Sequence, residues 1–467
     1  MTAWHFVGIG GIGMSGLAQM ALAQGIAVSG SDRGLHGREN AALFAALRRQ
    51  GALLYEQDGS FARKSRPDAL IYSTAIEADN PDFAAAPGVK RIHRAEALKL
   101  LMEHSSAPCT VAVAGSAGKT SATAFCAEAL YALGRDPSCI NGGHVKAFAD
   151  AAHPGNFRAG SGPLVFEADE SDKSLLAFSP DYAIVLNIGT DHYGREELVR
   201  VFGAFLRRVR RGAVLESRVR ELLQGELPPD LPVAVFAGGD EAAAAEECRY
   251  RLSGYEVRDG AAWAAWNGGA LHRLPAPGRH TALNILAVTA LLEMMNFPHD
   301  AALEAVLRSH GVARRFDRRG THRSGAPVID DYAHNPEKIA CCIRAAQELT
   351  AGRVWTVFQP HGYGPLGFMR EELGRLLHTV LREGDRFFLM EPYYAGGTSS
   401  FRPHAGEVIA AWREKGVTRP EHGLSRDAVR KVLDTECRAG DTILVLGARD
   451  NTLPEWAAEL GDSASEA

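Results

Sequence analysis

Two glycine-rich turns, each led by an apolar strand and followed by a helical pattern, constrain this chain most. In the first, the strand Trp4–Ile9 runs through the turn Gly10–Gly16 into a helix over Leu17–Gln24. A second strand, Ala27–Ser31, then ends at Asp32. In the second, the strand Thr110–Ala114 enters the turn Gly115–Lys119, and a helix follows from about Thr120 to Leu133. Strand, tight turn and helix in alternation predict parallel sheets covered by helices, an α/β architecture.

The chain has 467 residues, against about 150 for an ordinary domain. Two to four domains are expected, each with its own core. The pattern breaks near His104–Pro108 and restarts near Gly311–Arg319, which divides the chain into 1–107, 108–310 and 311–467. Further strands are expected at Ala69–Tyr72, Leu164–Glu167, Tyr182–Asn187, Pro327–Asp331, Arg353–Phe358, Arg386–Leu389 and Thr442–Leu446. The aromatic stretch Tyr250–Leu274, broken by Asn267-Gly268-Gly269, reads as a small antiparallel addition to the middle domain. Arg279–Met295 reads as a long apolar helix, Glu241–Glu247 as a surface helix and the tail Glu459–Ala467 as frayed.

A net charge of −5 gives no basic field for nucleic acid. No stretch reaches the roughly 20 apolar residues of a membrane span, and the N-terminus lacks the pattern of a secretory signal. Seven cysteines without a CxxC pair argue against a zinc site and for reduced thiols, so a cytoplasmic protein is expected.

The second turn, Gly115-Ser116-Ala117-Gly118-Lys119-Thr120-Ser121, suits a polyphosphate. Glycines let several backbone N–H groups face one anion, and the helix N-terminus adds its positive end. Lys119 would reach the β- and γ-phosphates, and the Thr120 hydroxyl would bind Mg²⁺. The loop is shorter than G-x-x-x-x-G-K-[ST], because Val113 stands where the first glycine would be. Glu167 and His192 follow buried strands, where open α/β sheets place their ligands, and are candidate metal ligands. The first cluster, Gly8-Ile9-Gly10-Gly11-Ile12-Gly13, with Asp32 at the end of the next strand, fits a diphosphate. NAD and a UDP-sugar satisfy it equally.

Taken together, HFVGIGGIGMSGLA with SGSD, YSTAI, RAEALKLLM, AGSAGKTSAT, FEADESDKS, NIGTDH, GRHTALNILA, RRF, IDDYAHNP and FQPH resemble, in order, the motifs of the Mur ligases. The resemblance implies an N-terminal Rossmann-like UDP-binding domain, a central P-loop ATPase domain and a C-terminal Rossmann-like domain that receives the amino acid. It implies ATP and Mg²⁺ as cofactors, UDP-N-acetylmuramate and an amino acid, L-alanine, as substrates, and a monomer or weak homodimer. The reaction would be amide formation through an acyl phosphate, in peptidoglycan synthesis.

It also implies roles. Lys119 and Arg315 would act on the γ-phosphate, and Thr120, Glu167 and His192 would lie at Mg²⁺. His280 and Asn284 would lie near adenine. Asp331 and His334 would border the nucleotide and the amino acid, with His334 a candidate for positioning or deprotonating the amine. Gly10, Gly11, Ile12, Gly13, Asp32, Ser73, His192 and His361 would meet the substrates. The departures lie mostly in the third domain. After FQPH the family usually has Arg-Tyr, whereas this chain has Gly362-Tyr363; EPYYAGGTSSF and GARDN differ as well. They leave the amino acid open. A related ligase using another amino acid or a pre-formed peptide, an NAD-dependent oxidoreductase and a non-catalytic nucleotide-binding protein are the alternatives.

Overall fold

The computed structural model describes residues 2–170, 174–189, 194–238, 248–394 and 401–462. Two compact units result. The first comprises Met1–Tyr255, Trp263–Pro275 and Arg279–Val312; the second comprises Ala313–Ala467 with the pieces Glu256–Ala262 and Ala276–Gly278.

The first unit holds two sheets. In the N-terminal one, five parallel strands lie in the order Leu53–Glu56, Ala27–Asp32, Ala3–Val7, Ala69–Tyr72, Lys90–His93. The chain order reverses on either side of Ala3–Val7, so the crevice at its carboxyl end is where a ligand belongs. The leading strand stops at Val7 because Gly8 turns left-handed, at φ +76°.

The helix then starts at Ile12, not Leu17. Gly13 and Gly16, expected in the turn, are helical. The reason is packing: a Cβ on Gly16 would lie 3.3 Å from the carbonyl oxygen of Asn156. The bare helix face lets Asn156 donate from Nδ2 to the Ile12 carbonyl at 2.7 Å and to Ser15 Oγ at 2.9 Å. Glycine at these positions serves a close approach between the first two sheets' layers, at a cost in helix propensity.

In the second sheet the strand Thr110–Ala114 lies between Tyr182–Val185 and Leu164–Ala168, all parallel. All five of its residues are buried, as expected for a strand covered on both faces. Gly212–Glu216 and Val233–Gly238 extend one side, and Ser138–Ile140 the other. Of the expected antiparallel addition, Ala261–Trp266 pairs antiparallel with His272–Arg273, whereas Tyr250–Arg258 pairs parallel with Val233–Gly238 and continues the main sheet. Asn267 and Gly268 make the turn at φ +53° and +75°.

In the second unit, Asp317–Thr321 pairs antiparallel with Pro327–Asp331. Thr442–Gly447, Val354–Gln359, Arg386–Met390 and Pro420–Gly423 then follow in parallel. The tail is not frayed through Asp462. Leu453–Asp462 is helical and Leu460 is buried. Gly461 lies so close to the Asp317–Thr321 strand that a Cβ would meet the Arg319 oxygen at 2.6 Å. The surface helix expected at Glu241–Glu247 and the last residues of the tail, 463–467, lie outside the described residues. No helix among them is long and apolar enough to cross a membrane. All seven cysteines are free thiols.

Candidate active site

The Lys119 loop is built by two left-handed glycines and one asparagine. Gly115 sits at φ +136° and Gly118 at φ +85°, which turns the chain from strand to helix where a side chain would be strained. A Cβ on Gly118 would also meet both side-chain polar atoms of Asn284 at 3.1 Å. Asn284, on the helix Arg279–Met294, is therefore beside the loop; His280, a turn earlier, is exposed.

Asn187 holds the loop from the neighbouring strand end. Its Oδ1 accepts from the Ala117 N–H at 2.8 Å, its Nδ2 donates to the Ala117 carbonyl at 3.0 Å, and its own carbonyl accepts from the Ser116 N–H at 3.3 Å. Ser116 Oγ in turn accepts from the Gly189 N–H at 2.8 Å. Ala117 is held by its backbone alone.

Lys119 and Thr120 open the helix Lys119–Ala132. The Lys119 ammonium donates to the Gly115 carbonyl and to Glu170 Oε2, both at 2.7 Å, with Asp169 Oδ1 at 3.6 Å. Burial pulls its pKa down, but the carboxylates of Glu170, Asp169 and Glu167 outweigh that and hold it above the usual lysine value. Thr120 Oγ1 donates to Glu167 Oε2 at 3.2 Å, and the other Glu167 oxygen accepts from the Gly142 N–H at 2.6 Å. A hydroxyl and a carboxylate oxygen thus converge beside the lysine, the hard-donor set that suits Mg²⁺. His192, the third expected ligand, lies outside the described residues. Ser121, inside the helix, is half-buried.

At the first crevice, the Asp32 carboxylate bridges two backbone donors. It accepts from the Gly10 N–H at 2.8 Å and from the Gly34 N–H at 2.8 Å. A Cβ on Gly10 would lie 2.7 Å from Asp32 Oδ2, so glycine is required for this approach. Gly11 caps the helix Ile12–Ala23, placing Ile12 and Gly13 in its first turn. Ser73 follows the adjacent strand and starts the turn closed by the Ile76 N–H on its carbonyl at 3.1 Å. Arg94 Nη2 joins the two sheets of this unit by donating to Asp169 Oδ2 at 3.3 Å.

In the second unit, Arg314 and Phe316 flank Arg315 with φ of +61° and +47°. Asp331 fixes this turn by accepting from the Phe316 N–H at 2.7 Å, and it also accepts from the Ala333 N–H at 2.8 Å. The Arg315 guanidinium lies 5.6 Å from the Tyr332 ring centre. His334 Nδ1 bonds the Tyr332 carbonyl at 2.9 Å, and its ring meets His361 edge-on, with centres 5.2 Å apart. Burial lowers the pKa of both histidines, that of His361 to about 4, where the charges of His334 and Arg449 add to the effect.

Three family models match consecutive stretches of the chain. They are the Mur ligase family catalytic domain over 3–106, the Mur ligase middle domain over 113–292 and the Mur ligase glutamate ligase domain over 314–449. The chain belongs to the Mur ligase family. One relative, the UDP-N-acetylmuramate--L-alanine ligase of Saccharopolyspora erythraea, is 35% identical, over 98% of this chain and 93% of its own length. The protein of that name from Anaeromyxobacter dehalogenans strain 2CP-1 is 36% identical, over 96% of this chain and 95% of its own. The crystal structure of UDP-N-acetylmuramate-alanine ligase from Thermotoga maritima superposes with a TM-score of 0.80 at 25% identity, covering all of both chains. A murein peptide ligase from Psychrobacter arcticus shares the fold, with a TM-score of 0.68 at 20% identity over 100% of this chain and 99% of its own.

For a Mur ligase of this sequence, the residues that motif reading passed over are those whose side chains act on groups distant in sequence. Asn187 and Glu170 lie inside quoted motifs, NIGTDH and FEADESDKS, yet neither was singled out. Asn141, whose Nδ2 donates to the Thr120 carbonyl at 3.0 Å, lies in no quoted motif. The signal for Glu170 was available: it is one of three carboxylates within four residues directly after a strand.

Proposed function

We propose that this Mur ligase joins the lactyl carboxylate of UDP-N-acetylmuramate to the amine of L-alanine, with ATP cleaved to ADP and phosphate. The observation that carries the reading is the near full-length match to relatives bearing that activity in their names. The geometry around Lys119 agrees with it. Residues 1–107 take the UDP-sugar, 108–310 the ATP and 311–467 the amino acid.

An amide does not form from a carboxylate and an ammonium in water, so the carboxylate must first be activated. Its attack on the γ-phosphate gives an acyl phosphate, and the amine then displaces phosphate from the acyl carbon. Negative charge gathers on the transferring phosphoryl group. Lys119 is pre-positioned to meet it. Its ammonium is fixed by the Gly115 carbonyl, and the Glu170 contact keeps it protonated. Asn187 takes up the N–H groups of Ser116 and Ala117 and so fixes the shape of the loop, which leaves the start of the helix at Lys119 and Thr120 to face the phosphates. Arg315 is assigned to the same developing charge, from the third domain. Thr120 and Glu167, with His192 as the third candidate, would hold Mg²⁺, which would neutralise charge on the polyphosphate. His280 and Asn284 lie toward adenine, and Asp331, His334 and His361 border the amino acid. Gly10, Gly11, Ile12, Gly13 and Ser73 face the UDP-sugar. Asp32 acts on that ligand through the loop it holds. The reaction places the protein in the cytoplasm, where ATP is.

The test is ADP release with UDP-N-acetylmuramate present, screened over the twenty amino acids and the pre-formed wall peptide. L-Alanine should give the highest kcat/KM. Turnover with the peptide and none with L-alanine would move the chain to the recycling reaction.

A further inference from the structure

Three parallel strands of the second unit end side by side, and their ends carry a group of side chains that the roles above leave incomplete. Asp331 pairs with Leu446, and Gln359 with Gly447. The residues just past these pairs, His334, His361 and Arg449, therefore emerge at one carboxyl edge. This is the edge where open α/β sheets hold ligands.

Arg449 stands out on three counts. It adopts φ +66°, a left-handed conformation that is uncommon and strained for an arginine. It is exposed, and its guanidinium makes no hydrogen bond or ion pair with any described residue. Every other arginine at this end of the sheet is engaged: Arg314 donates to the Gly447 carbonyl at 2.6 Å and Arg426 to Gln359 Oε1 at 2.8 Å. Beside it, His361 Nδ1 is buried without a partner. The edge thus presents one permanent, unpaired cation against two imidazoles that burial keeps neutral. A site of that composition takes an anion of single charge, and the planar guanidinium fork matches a carboxylate.

We propose that Arg449 binds the α-carboxylate of the incoming amino acid. The proposal rests on the function proposed above and names the residue that gives the amino-acid site its charge selectivity. The amine is left free to face the acyl carbon. The Arg449 charge acts on both imidazoles and adds to the lowering of their pKa values.

The left-handed φ also gives the test its control. Arg449→Gly removes the cation and relieves the backbone, so this variant should melt no lower than the unaltered protein. Initial rates of ADP release are measured at saturating ATP and UDP-N-acetylmuramate, with L-alanine or L-alaninamide varied. In the unaltered protein L-alanine is strongly preferred. In Arg449→Gly the KM for L-alanine should rise about 10- to 100-fold, the loss typical of a charge-assisted contact. The kcat/KM for L-alaninamide should change less than about 3-fold, so the preference collapses. Arg449→Lys should recover part of it, and the KM for ATP should stay put. An unchanged L-alanine KM in Arg449→Gly overturns the proposal, as does an equal fall for both compounds. If the unaltered protein releases no ADP with any amino acid, the parent reading fails first.

Discussion

The Lys119 ammonium donates to Glu170 Oε2 at 2.7 Å, and both groups are largely buried. The Glu170 carboxylate, with those of Asp169 and Glu167, more than offsets the downward pull of desolvation on the Lys119 ammonium and holds its pKa above the usual lysine value.

Lys119→Ala should abolish turnover, by about 1,000-fold or more, while UDP-N-acetylmuramate binds nearly as before. Calorimetric titration of the variant checks this. Outright loss of sugar binding in a folded variant would count against a sugar site separate from the loop.

Asn187 carries two side-chain bonds to Ala117. Its replacement by Ala should loosen the cradle without removing a charge. The expected result is a KM for ATP raised about 10-fold with the L-alanine KM unchanged, read from initial rates. Equal rises in both would argue that Asn187 has a wider structural role.

Gly10→Ala would force a methyl to within 2.7 Å of Asp32 Oδ2 and 2.9 Å of the Phe44 ring. Overpacking of this kind costs about 1–3 kcal/mol, so the melting temperature should fall and the sugar-nucleotide affinity with it. Asp32→Asn keeps an acceptor for only part of the bridge between Gly10 and Gly34, and should show a milder form of both effects. If its affinity for UDP-N-acetylmuramate falls with no loss of stability, Asp32 contacts the ligand directly.

The legibility of these features follows physical range. The two loops could be read because each depends on local backbone demands: left-handed glycines, a buried strand before and a helix after. The start of the first helix at Ile12 could not, since Gly16 lies against Asn156 and Gly13 against Arg94, both far away in sequence. Short strands such as Leu53–Glu56 and Pro420–Gly423 at sheet edges were missed because half-exposed segments carry little apolar pattern. Asn187 looked like any strand end, because its function is a pair of bonds to a loop 70 positions away.

Asp330 is fully buried, and burial raises its pKa to about 6, with Arg314 only partly opposing the shift. In the unfolded chain it titrates near 3.8. Between these values the unfolded state loses its proton first, so this group's contribution to stability falls as pH rises from about 4 to 6 and stays low above. Asp330→Asn should therefore gain stability over the unaltered protein at pH 8, by about 3 kcal/mol at most, and little at pH 4. Urea midpoints at the two pH values measure it; a variant weaker at pH 8 would show that the Arg314 contact dominates.

The most direct measurement follows the oxygen of the sugar's carboxylate. UDP-N-acetylmuramate labelled there with ¹⁸O is turned over with ATP and L-alanine, and the released phosphate is analysed by mass. An acyl phosphate formed at the Lys119 loop requires one ¹⁸O in each phosphate. Unlabelled phosphate, or label appearing in AMP, would contradict the account.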